Sequence, residues 1–126
     1  GVDPTLVSGD GYTAFMSASV YPEQPGSDHV AVIRVLLKDG RVPVNARRRG
    51  NGETALFMAC SYGKIERVRV LLLEGRADHT IPVRRGTTPM TKARERGYRG
   101  TVELLKVRGQ RTYLAGESAA YVHILT

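Results

Sequence analysis

Cysteine is scarce in this chain, since Cys60 is the only one among 126 residues. A single cysteine excludes an intramolecular disulfide and is typical of a reducing compartment, so we expect an intracellular protein, cytoplasmic or nuclear. Long hydrophobic runs are also lacking, because none approaches the roughly 18 residues of a membrane span. The first five residues (GVDPT) have neither the order of a signal peptide nor an initiator methionine, which indicates a processed or excised piece.

Motifs of catalysis and metal binding are missing as well. The chain contains neither H-E-x-x-H nor C-x-x-C, and its histidines stand far apart at positions 29, 79 and 123, so no metal site is predicted. Residues 9–11 (GDG) lack the rest of a phosphate-binding fingerprint and predict a turn. Cys60 occupies a small-residue position in a predicted helix, which favours a buried, inert thiol. We therefore expect no enzymatic activity and no cofactor.

Acidic residues are outnumbered, with 12 Asp and Glu against 19 Lys and Arg, which gives a formal charge of +7. Fifteen of the basic residues are Arg, whose planar guanidinium suits carboxylates and phosphates. This balance favours an acidic protein, a nucleic acid or an anionic membrane surface as the partner. The alternative interpretation is a solvated face without a specific partner.

Three segments repeat one pattern: residues 11–15 (GYTAF), 52–56 (GETAL) and 86–90 (GTTPM). Each is followed by a helix-like stretch and then by a second apolar run that ends in glycine, at Gly40, Gly75 and Gly109. The step from Thr54 to Thr88 is 34 residues, whereas the step from Thr13 to Thr54 is 41. Six of the seven extra residues fall in a loop with two prolines and a glycine at residues 22–27, and the seventh is assigned to residues 41–45.

The second copy predicts its local structure most clearly. Thr54 is predicted to cap a first helix that the pair at residues 62–63 (YG) ends. A second helix carries an apolar stripe and is predicted to end at Gly75 as a C-terminal glycine. The members of that stripe are Ile65, Val68, Leu71 and Leu72.

The third copy is more polar than the other two. It has Pro89 at the favoured first position of a helix. Basic residues stand where the other copies are apolar or small, namely Lys92, Arg94, Arg99 and Lys106. Residues 86–109 are therefore interpreted as a C-terminal cap, because the end of a repeat array needs a polar outer face.

Residues 52–63 (GETALFMACSYG) resemble the G-x-T-P-L-H-x-A-A-x-x-G motif of the ankyrin-repeat family, and residues 68–75 (VRVLLLEG) resemble its V-x-x-L-L-x-x-G motif. Residues 1–5 are similar to the loop that closes a repeat.

The resemblance implies an all-α solenoid of helix-turn-helix units with β-turn or hairpin loops. It implies an ankyrin domain at residues 1–109, with a partial repeat at 1–8 and repeats at about 9–49, 50–85 and 86–109, followed by a tail or capping segment at 110–126. Arg67 departs from the pattern, because an apolar residue usually stands there.

The resemblance also implies a non-enzymatic scaffold that binds proteins along its concave face and finger loops. The arginines at residues 47–49 and 84–85 precede turn glycines at the same place in successive repeats, so they predict one ridge beside concave-side tyrosines. The leading hypothesis is a protein partner that is bound through its acidic residues. Nucleic-acid or other polyanion binding through the ridge and a role as a structural spacer are the alternatives. The predicted contact residues are Tyr12, Tyr21, Arg47, Arg48, Arg49, Glu53, Tyr62, Arg84, Arg85 and Arg96.

The N-terminal edge carries a separate expectation. If residues 1–5 are the remnant of an earlier repeat, the first helix pair has lost its neighbour, and Phe15, Met16 and Ile33 are predicted to be partly uncovered. Such an edge would fray over residues 1–40 or be hidden by weak self-association of a chain that is otherwise monomeric. Hydrogen exchange would then be slowest in residues 54–75.

Overall fold

The computed structural model describes residues 7–9 and 11–114. Within them the chain forms six helices: α1 (Ala14–Val20), α2 (His29–Asp39), α3 (Ala55–Ser61), α4 (Ile65–Leu73), α5 (Pro89–Arg96) and α6 (Arg99–Leu114). One isolated antiparallel bridge joins Val7 to Thr13, so the described part of the chain is all-α as predicted. None of its helices has both the length and the apolar character needed to cross a membrane. The predicted remnant at residues 1–5 and most of the predicted tail, from residue 115 onward, lie outside the described residues.

The helices pack in two layers. In one layer α1 contacts α3 and α3 contacts α5, while in the other α2 contacts α4 and α4 contacts α6. Consecutive helices also contact each other as the pairs α1 and α2, α3 and α4, and α5 and α6. This is the helix-turn-helix solenoid that the sequence predicts, in which each pair buries its apolar face against its neighbours.

Each first helix begins at the repeated threonine. The side chains of Thr13, Thr54 and Thr88 accept hydrogen bonds from the backbone amides three residues later, at 3.1, 3.1 and 3.2 Å. These bonds satisfy amide groups that the first turn of a helix leaves without a partner. The prediction that Thr54 is a cap and that Pro89 opens the third copy's helix is confirmed.

The central pair forms the middle of the core. All seven residues of α3 are buried, including Cys60, as expected for its small-residue position. In α4 the predicted stripe is buried at Val68, Leu71 and Leu72, while Ile65 is half-buried. The middle of the array is therefore the part with apolar neighbours on both sides, which is where burial stabilises most.

The ends of the second helices differ from the prediction in two places. Gly40 ends α2 in the left-handed conformation, but α4 ends at Leu73 and the left-handed residue that follows is Arg76, with φ of 52°. Gly75 is needed for space instead, because a Cβ there would lie 2.9 Å from the Leu71 carbonyl oxygen. In the third copy Gly109 does not end the helix, since α6 continues to Leu114.

The expectation that Phe15, Met16 and Ile33 are uncovered is wrong. Their exposed fractions are 1%, 2% and 0%, because they pack into the core cluster that the described helices share. The apolar side chains that are exposed on the first repeat include Val32 and Val35 of α2, at 48% and 67%.

The second repeat shows why that face of α2 is open. Arg67 and Val70 of α4 stand 35 residues after Val32 and Val35, and they are 3% and 4% exposed. Arg67 is covered by the first repeat, since its guanidinium contacts His29 and the Tyr21 carbonyl. The face that meets the preceding repeat is therefore buried in α4 and exposed in α2.

Candidate functional site

Three short hairpin loops precede the first helices, and they are called fingers 1, 2 and 3 here. A backbone amide–carbonyl bond closes each one: Ser8 to Tyr12 at 2.8 Å, Arg48 to Glu53 at 2.7 Å and Val83 to Thr87 at 2.8 Å. Finger 2 encloses four residues where finger 3 encloses three. The seventh extra residue of the first step thus lies in finger 2, and the assignment to residues 41–45 is wrong.

Fingers 2 and 3 are joined side by side. The Arg84 amide donates to the Asn51 carbonyl at 2.9 Å. The Arg47 guanidinium spans both loops, with Nε donating to the Gly52 carbonyl at 3.2 Å and Nη2 donating to the Pro82 carbonyl at 2.8 Å. A Cβ on Gly52 would lie 3.2 Å from the Arg84 nitrogen, so the close approach requires glycine.

The five finger arginines have different surroundings, so they do not form one uniform ridge. Arg47 is bound to backbone carbonyls of the two fingers. The Arg48 guanidinium stacks on the Tyr12 ring, 4.3 Å from its centroid, which is a cation–π geometry. Arg48 is half-buried, whereas the other four arginines are exposed.

Between fingers 2 and 3 and the helices behind them lies a cavity of about 620 Å³, which we call the finger groove. Five predicted contact residues meet there, together with Lys92, which is not among the predicted contact residues. The charged side chains and the tyrosine that line it are Glu53, Tyr62, Arg84, Arg85, Lys92 and Arg96. Tyr12, Tyr21 and residues 47–49 are not among its lining residues.

Charge in the finger groove is mostly positive, with four cations to one carboxylate among its lining residues. Burial raises the pKa of Glu53 above its usual value, and the nearby charges of Arg48 and Lys92 offset the effect only in part. Lys92 is also 3.0 Å from Glu95, one turn along α5. The groove can therefore attract an anion, while Glu53 opposes one.

A second polar cluster surrounds Arg67, which the sequence marked only as a departure from the family pattern. The side chain is 3% exposed and donates to the Tyr21 carbonyl, to Glu23 Oε1 at 3.1 Å and to His29 Nδ1 at 3.1 Å. Arginine has no acceptor atom, so His29 Nδ1 accepts. Lys64 Nζ is 2.8 Å from Glu23 Oε2. These bonds fasten the exposed loop at residues 22–27 to α4 beside a cavity of about 390 Å³.

Cys60 has the environment of a structural residue. Its exposed fraction is 0% and burial raises the pKa of its thiol to about 12. The thiolate, which is the reactive form of cysteine, is disfavoured in such a place.

The comparisons with known proteins agree with this architecture. Among curated proteins no significant match was found. A family model described as ankyrin repeats, in three copies, matches residues 26–113. The match begins before α2, runs into the last turn of α6 and leaves out α1, whose Thr13 cap and packing nevertheless repeat those of α3 and α5. Ankyrin repeats generally act as protein-protein interaction modules and are typically not enzymes. Since the model covers more than half of the chain, this protein belongs to the ankyrin-repeat family.

Proposed function

We propose that this chain binds an acidic segment of a partner protein in the finger groove. The observation that carries the proposal is the meeting of Arg84, Arg85, Lys92 and Arg96 around one cavity between adjacent fingers. Three of these four cations are arginines, which can hold carboxylates through two parallel hydrogen bonds. Tyr62, at the end of α3, adds an aromatic wall that is 57% exposed.

The size of the groove suits part of a peptide. A volume of about 620 Å³ lies within the range of roughly 300–1,000 Å³ that is typical of ligand sites. Fingers 2 and 3 are joined by Arg47 and by the Arg84–Asn51 bond, so the backbone that carries the cations of finger 3 is held in a defined place before a partner arrives. Such preorganisation reduces the entropy that binding costs.

The proposal is tested with a fluorescently labelled octamer of aspartate, titrated by anisotropy. Replacing Arg84 and Arg85 with Glu should weaken binding at least tenfold, because each change replaces an attraction with a repulsion. The control replaces Arg69 and Lys106 with Glu, which alters the net charge equally on exposed parts of α4 and α6. If the two double variants lose the same amount of affinity for the octamer, or if the native chain does not bind it, the finger groove is ruled out as the acidic-peptide site.

Nucleic-acid binding is the competing function, favoured by the formal charge of +7. A single-stranded oligonucleotide with the same number of charges distinguishes the two. Tighter binding of the oligonucleotide, with a steep fall as salt rises and equal sensitivity to both double variants, would favour phosphate contacts spread over the surface. Preference for the aspartate octamer supports the protein partner.

A further inference from the structure

Glu53 is the one carboxylate among the residues that line the finger groove. Its backbone is fixed on both sides, because its amide donates to Asn51 Oδ1 at 3.0 Å and its carbonyl accepts from the Arg48 amide at 2.7 Å. The side chain is half-buried. The backbone therefore holds Glu53 at the groove, and its carboxylate is already partly removed from water before a partner arrives.

Charged and titratable groups stand on every element that packs around the groove, and two of them, Arg48 and Lys92, favour the ionised form of Glu53. Arg48 comes from its own finger, Arg84 and Arg85 come from finger 3, and α5 contributes Lys92 and Arg96. Tyr62 stands at the end of α3. Despite these cations, burial already raises the pKa of Glu53, so the water lost at this position outweighs the attraction of its neighbours.

An acidic segment in the groove changes this balance further. Its carboxylates bind the cations of the groove, among them Lys92, whose charge now helps to keep Glu53 ionised, and the segment removes more water from the groove. A second negative charge at close range also disfavours the first. A protonated Glu53 would avoid that repulsion and could donate its O–H to a carboxylate of the partner.

We propose that Glu53 takes up one proton from solvent when an acidic segment enters the finger groove, so that binding becomes tighter as the pH falls. This inference rests on the proposed function and adds its regulation. Glu53 would thus make the affinity of the groove for an acidic segment depend on pH.

The direction follows from proton linkage. The pKa of Glu53 rises on binding, so the complex holds more protons than the free chain and affinity increases as protons become available. The increase occurs between the pKa of Glu53 in the complex and its lower pKa in the free chain. One proton limits the effect to about tenfold per pH unit. Aspartate in the peptide ordinarily titrates near pH 3.9, so the peptide stays charged at pH 5.5–7.5.

The experiment is calorimetric titration of the aspartate octamer at pH 5.5, 6.5 and 7.5, in two buffers with different ionisation enthalpies. We expect the native chain to take up protons and to bind at least threefold more tightly at pH 5.5 than at pH 7.5. Glu53→Gln should remove both effects and bind more tightly than the native chain at pH 7.5. Glu103→Gln on α6, an exposed carboxylate outside the groove, is the matched control and should behave as the native chain does.

The outcomes separate the two proposals. Binding without proton uptake, or uptake that persists in Glu53→Gln, would overturn the role of Glu53 and leave the peptide site intact. Failure of both the native chain and Glu53→Gln to bind the octamer would overturn the peptide site and the role of Glu53 together. A thermal unfolding curve shows that each variant is folded before it is titrated.

Discussion

Arg67 shows how one buried side chain can hold an insertion in place. Its three acceptors are Tyr21, Glu23 and His29, and each lies between 38 and 46 positions away in the sequence. A buried cation is tolerated only when it is paired and hydrogen-bonded, and here one guanidinium satisfies both conditions. The position is apolar in the family pattern, and arginine is accommodated here because the loop supplies Glu23 while Tyr21 and His29 flank the loop on either side.

Glu23 gives this cluster a measurable dependence on pH. Its pKa is lowered from 4.5 to about 2, chiefly by the hydrogen bond from Lys64 and then by a backbone hydrogen bond. Because the folded value is depressed, the contribution of Glu23 to stability is complete above about pH 4.5 and is lost as the pH falls towards 2. The side chain is 70% exposed, so salt should reduce the shift. Carbon-detected NMR titration of Glu23 should give a midpoint near 2 in the native chain.

Lys64→Met provides the comparison for that titration. Removing the main hydrogen-bond donor should move the Glu23 midpoint back towards 4.5, while the Arg67 contact remains. A native midpoint that already lies at the ordinary value would show that the loop is not held by these bonds in solution.

At the scale of elements, the fingers depend on a close approach of two backbones. Gly50 and Gly52 both have positive φ, at 97° and 77°, so alanine is strained at either one. A Cβ at position 50 would meet nothing within 4 Å, whereas at position 52 it would lie 2.9 Å from Arg47 Nη2 and 3.2 Å from the Arg84 nitrogen. Only the second change also separates fingers 2 and 3.

We therefore expect Gly52→Ala to lower the free energy of unfolding by about 1–2 kcal/mol more than Gly50→Ala does, since it also disturbs the hydrogen bonds of Arg47. Urea unfolding of the two variants measures this difference. Gly50→Ala is the internal control for the cost of the left-handed backbone itself. Equal losses in the two variants would mean that the contact between fingers contributes nothing to stability.

At the level of single helices, the sequence predicted the features that depend only on residues within one segment. The threonine caps and the stripe at Val68, Leu71 and Leu72 follow from hydrogen-bonding needs and helical periodicity within one segment. The extra residue of finger 2 was assigned to another loop, because a length difference alone does not say where an insertion lies. The role of Gly75 is different from the predicted one because glycine at a helix end serves either conformation or space, and the space needed here depends on the Leu71 carbonyl and on Leu37 of the preceding repeat, 2.9 and 3.2 Å from a Cβ at that position.

The finger groove could be predicted only in part for the same reason. The equivalent positions of arginines in successive repeats indicated that Arg84 and Arg85 lie next to finger 2. It could not show that Arg47 turns to backbone carbonyls or that Arg48 stacks on Tyr12, since rotamers depend on neighbours that a linear pattern does not contain. Lys92 was interpreted as a capping substitution, although it also lines the groove.

For the whole molecule, stability should be uneven along the solenoid, because each repeat depends on its neighbours. Helix α4, the second helix of its repeat, buries five residues, whereas the equivalent helix α2 of the first repeat buries only Ile33. We therefore expect the first repeat to be less stable than the second because the face of α2 at Val32 and Val35 is open to solvent. Phe15 and Met16 do not weaken it, since both are buried. Cooperative units with little buried apolar surface open at lower free energy than the rest.

Native-state hydrogen exchange should therefore show the slowest amides in α3 and α4 and faster exchange in α2. A matched pair of substitutions gives the cause. Val70→Ala should lower the free energy of unfolding by about 2 kcal/mol, since the side chain is 4% exposed, while Val35→Ala at the equivalent place, 67% exposed, should change it by less than about 0.5 kcal/mol. Uniform protection across the helices, together with similar losses in the two variants, would mean that the first repeat unfolds with the centre as one unit and that its open face carries no penalty.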